Sequence, residues 1–79
     1  MRLDKYLKVS RLIKRRTVAN EACDGGRVSV NGKVAKASAN VKAGDEIEIR
    51  FGNRNVRVRV LKVAETVKKE EAQELFEYL

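Results

Sequence analysis

Gly25-Gly26-Arg27-Val28-Ser29-Val30-Asn31-Gly32-Lys33-Val34 is the stretch that decides how this chain folds. Gly25 is read as the left-handed residue that ends a helix, and Gly26 as the position that lets the chain reverse tightly. Arg27 to Val30 then alternates apolar and polar side chains, as a half-buried strand does. Asn31-Gly32 is the strongest short hairpin signal, because both residues tolerate positive φ at the two central turn positions. Lys33-Val34-Ala35-Lys36 is the return arm.

Upstream of the glycines the period changes to that of a helix. Leu3, Tyr6 and Leu7 form one apolar stripe over residues 2–9, while Arg2, Lys5 and Lys8 run along another face. Ser10 to Arg16 is a basic connector from which Leu12 and Ile13 can point inward. Thr17 is taken as the N-cap of a second helix whose buried side is Val18, Ala19, Ala22 and Cys23. Downstream, residues 37–43 form a polar connection anchored by Val41. Gly44-Asp45 turns into the alternating strand Glu46 to Phe51, and Gly52-Asn53 turns into another, Val56 to Val63. From about Thr66 the pattern predicts a helix with Ala72, Leu75, Phe76 and Leu79 on its apolar face and four glutamates on the other side. A helix of that length must dock or fray.

Seventy-nine residues make a single domain with a modest core. The expected division is residues 1–50 as the main part and residues 51–79 as a strand-and-helix extension of the same domain. The chain has no His, so the commonest general base is missing, and its lone Cys23 allows neither a Cys–His nucleophile pair nor a cysteine-rich zinc site. Neither a cofactor nor a metal is expected, and no enzymatic role. Four aromatics without Trp supply little for a base-stacking platform. The start Met1-Arg2-Leu3-Asp4-Lys5 is no signal peptide, and no apolar run approaches the ~20 residues of a membrane span. A cytoplasmic protein, monomeric and without a membrane partner, is expected.

Charge supplies the functional pointer. Residues 1–36 hold ten cations against three carboxylates, a surplus of +7, whereas residues 37–79 hold eight of each sign. A one-sided cationic lobe suits a polyanion, most commonly a nucleic acid. The candidate nucleic-acid-binding residues are Arg2, Lys5, Arg11, Lys14, Arg15, Arg16, Arg27 and Lys33. Two helices joined by a basic connector can bring most of them to one surface, and the hairpin can extend it. Arg15 and Arg16 also stand at a helix start, where free N–H groups and the dipole favour phosphate. Guanidinium forks match phosphate oxygens in a bidentate way. Lys8, Lys36 and Lys42 read as solvated surface, and Arg57 and Arg59 as the polar face of a two-sided sheet. Asp4 has two readings: an i,i+4 pair with Lys8 that steadies the helix, or, as the resemblance of the Arg2-Leu3-Asp4-Lys5 start to a known family implies, a group that orients Arg2 or a neighbouring cation. Asn20, one turn after Arg16, is read as exposed. Leu3, Tyr6, Leu7, Val18, Ala22, Val28 and Ile47 are assigned to the core.

Arg2-Leu3-Asp4-Lys5, Ser10-Arg11, Lys14 to Thr17, Gly25 to Val34, Val41, Gly44-Asp45 and Ile47 together resemble the S4 RNA-binding domain over roughly residues 1–50. The small size and the strand-rich extension are similar to stand-alone S4 proteins of the large ribosomal subunit, a group with a heat-shock branch and a quality-control branch (RqcP-like). The short length and the Met1-Arg2-Leu3-Asp4 start favour the second. The resemblance implies an α+β, αL-type S4 fold: two antiparallel N-terminal helices on a small, mostly antiparallel sheet, with a C-terminal helix. It implies as partners the large subunit with its 23S rRNA, peptidyl-tRNA left after a stall, and a nascent-chain quality-control factor. The implied role is to assist template-free elongation of the stuck nascent chain. Alternative readings are a heat-shock-type factor recycling stalled large subunits, a protein adaptor acting through the acidic last helix, and an RNA-targeting subunit of a modifying enzyme.

Overall fold

The computed structural model describes all residues, 1–79. Two α-helices, α1 (Leu3–Val9) and α2 (Arg16–Asp24), precede β1 (Val28–Val30), β2 (Lys33–Val34), β3 (Glu46–Phe51) and β4 (Arg54–Val60). A 3-10 helix (Lys69–Leu75) and a last strand, β5 (Phe76–Tyr78), complete the chain. The five strands form one antiparallel sheet in the order β2-β1-β3-β4-β5.

The two faces of that sheet follow from strand alternation. Val28, Ile47, Ile49, Val58, Val60 and Phe76 point into a core shared with Leu3, Tyr6, Leu7, Ala19, Ala22 and Cys23 of the helices. The opposite face is an ion-pair ladder. Glu46 receives both Arg57 and Arg59 at 3.4 Å, and Arg59 also donates to Glu77 at 3.1 Å. The solvated-face reading of Arg57 and Arg59 therefore holds.

The hairpin forms as its sequence demands. Asn31 (φ 52) and Gly32 (φ 86) both take positive φ, and Val30 pairs with Lys33 across the turn. The Asn31 side chain also bridges to the next corner. Its amide donates to the buried Asp45 carboxylate at 3.1 Å, and its carbonyl accepts from the Glu46 N–H at 3.0 Å.

Several local expectations change. The left-handed residue after α2 is Gly26 (φ 82), while Gly25 (φ −82) is still near-helical. The Arg27 N–H reaches the Ala22 carbonyl at 2.9 Å and the Gly26 N–H reaches Cys23 at 3.0 Å, so the helix closes in a Schellman motif one residue later than expected. At the other end Arg15 is the N-cap and Thr17 lies inside the helix, because the extended Arg15 backbone already starts the ladder with Ala19 N–H to Arg15 carbonyl at 3.0 Å. Val18 is 44% exposed, since the buried stripe of α2 passes through Ala19, Ala22 and Cys23 instead.

The C-terminal helix is a 3-10 helix that ends at Leu75, and the expected helical continuation is strand β5. Pairing with β4, Val60 opposite Phe76 and Val58 opposite Tyr78, overrides the helical spacing of Ala72, Leu75, Phe76 and Leu79. Ala72, Leu75 and Phe76 are buried, but Leu79 is half exposed. Tyr6 locks this segment to α1: its fully buried ring donates its hydroxyl to the Leu75 carbonyl at 2.7 Å. Burial drives the Tyr6 phenol well above its ordinary pKa and pushes the Cys23 thiol up to about 11.

Candidate nucleic-acid interface

The site is built around one buried carboxylate. Asp4, in the first turn of α1, is 2% exposed. Arg2 approaches it as a fork, with Nε 3.2 Å from Oδ1 and Nη2 3.3 Å from Oδ2. Arg16, the first residue of α2, places Nε 3.5 Å from Oδ2 and Nη2 3.5 Å from Oδ1. The Asn20 amide, one turn further along α2, donates to Oδ2 at 3.2 Å, and the Lys5 N–H donates to Oδ1 at 2.8 Å. Burial by itself would raise the Asp4 carboxyl. The hydrogen bonds from Asn20, Arg2, Arg16 and the Lys5 N–H outweigh it and hold the group below the ordinary carboxylate range.

Of the two readings of Asp4, the geometry selects the second. It pairs with the two arginines, and Lys8 is exposed without an ion pair. Two guanidiniums on one carboxylate leave a net positive charge. Both remain about half exposed, so their outer N–H groups are free to meet another anion. The backbone fixes the Arg2 end: Leu3 N–H bonds Ala39 at 2.7 Å, Val41 N–H bonds Met1 at 2.8 Å, and Arg2 bridges to Asn40. Asn20 is half-buried rather than exposed, and is a support for Asp4. Helical periodicity alone could not reveal this, because the contact crosses from one helix to the other. The signal in the sequence is Asp4 itself, a lone carboxylate among cations at the chain start.

The remaining candidates divide. Lys14 and Arg15 are exposed on the connector into Arg16, and Arg27 and Lys33 are exposed at the start of β1 and in β2; none of the four makes an ion pair. Lys5 leans towards the C-terminal half and pairs with Glu65. Arg11 also turns that way. It lines the clefts shared with Glu65 and with the Phe51 corner of the sheet, rather than joining Arg2 and Arg16. The structure thus gathers Arg2 and Arg16, leaves four free cations on the connector and hairpin, and sends Lys5 and Arg11 to another side.

Two helices on an antiparallel sheet, with a cationic pair held at the start of each helix, define a class. Residues 1–47 match the family model of the S4 domain, and the chain belongs to the S4 domain family. Among its relatives are factors of translation. It is 64% identical over 77 residues to the RQC P-site tRNA stabilizing factor of Halalkalibacterium halodurans, covering 98% of this chain and 88% of that one. It is 58% identical over 79 residues to the protein of the same name from Bacillus subtilis, covering 100% and 92%. Among solved structures, the trimeric heat shock protein 15 of Vibrio cholerae superposes with a TM-score of 0.92 at 34% identity, covering 100% of this chain and 81% of that one. No helix is long and apolar enough to cross a membrane.

Proposed function

We propose that this protein is a non-catalytic RNA-binding factor of the large ribosomal subunit, acting on subunits that carry peptidyl-tRNA after a stall. It holds the tRNA in the P site while the nascent chain is extended without a template. Two supports converge: relatives at 64% and 58% identity are named for stabilizing P-site tRNA in RQC, and the Arg2–Asp4–Arg16 cluster fixes two half-exposed guanidiniums on one buried carboxylate. The cluster is the observation that carries the reading. Arg2, Arg16, Lys14 and Arg15 engage rRNA and tRNA backbones, Arg27 and Lys33 of the hairpin widen the footprint, and Lys5 and Arg11 add charge at its flank. Such a surface reads folded RNA by shape and phosphate spacing. Residues 1–50 form the RNA-binding part, residues 51–79 extend the same domain, and the protein works in the cytoplasm as a monomer.

Arg16→Ala tests the assignment. The side chain is half exposed, so the fold should persist by circular dichroism, while co-sedimentation with large subunits should fall by roughly tenfold in affinity. Binding of tRNA should weaken steeply with salt, by about 0.7–0.9 in log–log slope per phosphate contact. Wild-type co-sedimentation by Arg16→Ala would remove the cluster from the interface. The likeness to heat shock protein 15 favours a second reading, recycling of stalled large subunits without chain extension. Cells lacking the protein decide between them. Loss of untemplated C-terminal tails on stalled chains supports the first, and intact tails with accumulated blocked subunits support the second.

A further inference from the structure

At the β5 edge the inner face of the sheet runs past its helical cover. Phe51, Val56 and Tyr78 line a groove there of about 580 Å³, roofed on one side by the α1–α2 connector and floored by Phe76. Three of the chain's four aromatics meet in this one place. Phe76 and Tyr78 stand edge to face at 5.2 Å, and Tyr78 is 70% exposed. By count the aromatics are too few for a stacking platform, but the fold concentrates three of them here.

The charges around the groove are all of one sign. Arg11, Arg54 and Lys69 line it, and no carboxylate does. None of the three makes an ion pair, whereas four of the other six cations in residues 37–79, Lys42, Arg57, Arg59 and Lys62, are bridged. The Arg54 guanidinium sits 5.9 Å above the Phe51 ring, as a cation over a π face does. Arg11 occupies the left-handed position after α1 (φ 63), where glycine would be unstrained. The chain thus bears a strained backbone at the residue that puts a guanidinium at the groove mouth.

We propose that this groove takes an unpaired nucleotide of single-stranded RNA, its base stacked on Tyr78 and Phe51 and its phosphate among Arg11, Arg54 and Lys69. The exposed Tyr78 ring and the half-buried Phe51 ring beside unpaired cations match a base and its phosphate. A second copy of a chain that carries +7 would meet repulsion at this cationic rim. The inference rests on the RNA-binding reading only for the identity of the polymer, since it uses different residues from the Asp4 cluster.

Tyrosine fluorescence supplies a direct readout, because Tyr6 is buried and Tyr78 is the exposed tyrosine. Hexauridylate, which forms no duplex, should quench it in the wild type, and the affinities of the variants are read by anisotropy of fluorescein-labelled hexauridylate, which needs no tyrosine reporter. Tyr78→Ala should weaken hexauridylate binding by roughly tenfold, Arg54→Gln should weaken it less, and Tyr78→Phe should bind nearly as the wild type does. Arg16→Ala should leave hexauridylate binding within about twofold while weakening tRNA binding. Wild-type hexauridylate affinity in both Tyr78→Ala and Arg54→Gln overturns the groove, whatever Arg16→Ala does to tRNA. Loss of hexauridylate binding in Arg16→Ala alone overturns it as well. So does polyglutamate perturbing the Tyr78 and Gln73 resonances where hexauridylate does not, or self-association in sedimentation that Tyr78→Ala disperses.

Discussion

Replacing Asp4 by Asn separates two accounts of RNA affinity that ordinarily point the same way. The substitution adds one positive charge to a chain that already carries +7. If affinity came from overall charge alone, RNA binding would tighten slightly or stay level. If it comes from two arginines held in register, binding should weaken although the charge has risen. Asp4 accepts the Arg2 fork at 3.2 and 3.3 Å, Arg16 at 3.5 Å, Asn20 at 3.2 Å and a backbone N–H at 2.8 Å. Asn keeps one acceptor oxygen and turns an NH₂ towards the donors. A hydrogen bond to a charged group contributes about 1.5–3 kcal/mol, but the half-exposed arginines regain water, so the net loss in stability should be about 1–2 kcal/mol. For a domain of this size that lowers Tm by roughly 5–15 °C.

The binding assay is fluorescence anisotropy of labelled tRNA at several salt concentrations, on protein shown to be folded at the assay temperature. Freed guanidiniums lose their fixed spacing, and about one or two phosphate contacts should go with it. Kd should rise about tenfold, and the salt slope should shrink by about 0.7–2. An equal or tighter Kd at the same salt with an unchanged slope would refute the positioning role of Asp4 and return the explanation to net charge.

Three further outcomes follow from the geometry. Tyr6→Phe removes the 2.7 Å bond to Leu75, whose carbonyl still accepts from the Leu61 N–H at 2.8 Å; stability should fall by about 1 kcal/mol, with faster hydrogen exchange concentrated in residues 69–78, and uniform exchange across the chain would count against this tether. Gly26→Ala places a Cβ at φ 82 with no neighbour to clash, so a loss of roughly 1–2 kcal/mol in urea unfolding reports backbone strain alone, and an unchanged midpoint would contradict the left-handed cap. For pH, Asp4 and Asp45 are held below their ordinary value of 3.8, so the stability they contribute is complete above about pH 5 and is lost as pH falls through the depressed folded values. Cys23, raised from 9.0 to about 11, contributes the opposite limb: stability is full below 9.0 and declines towards about pH 11. Urea midpoints across pH should show that plateau, and Asp4→Asn should flatten the acid limb.

The helix-then-hairpin order, the core stripe Leu3, Tyr6, Leu7, the Asn31-Gly32 turn and the cationic lobe are legible in the residues, because each rests on local periodicity, turn chemistry or a count of charges. Tertiary structure alone decided three things. Sheet pairing with β4 turned Phe76–Tyr78 from helix to strand, since ladder hydrogen bonds and burial outweigh a local helical spacing. The contact between α1 and α2 made Asp4 the shared counter-charge of Arg2 and Arg16, a relation between residues twelve positions apart that no local pattern encodes. Closure of the C-terminal segment carried Lys5 to Glu65 and Arg11 to the aromatic groove, because side chains of one basic run settle according to which elements pack beside them.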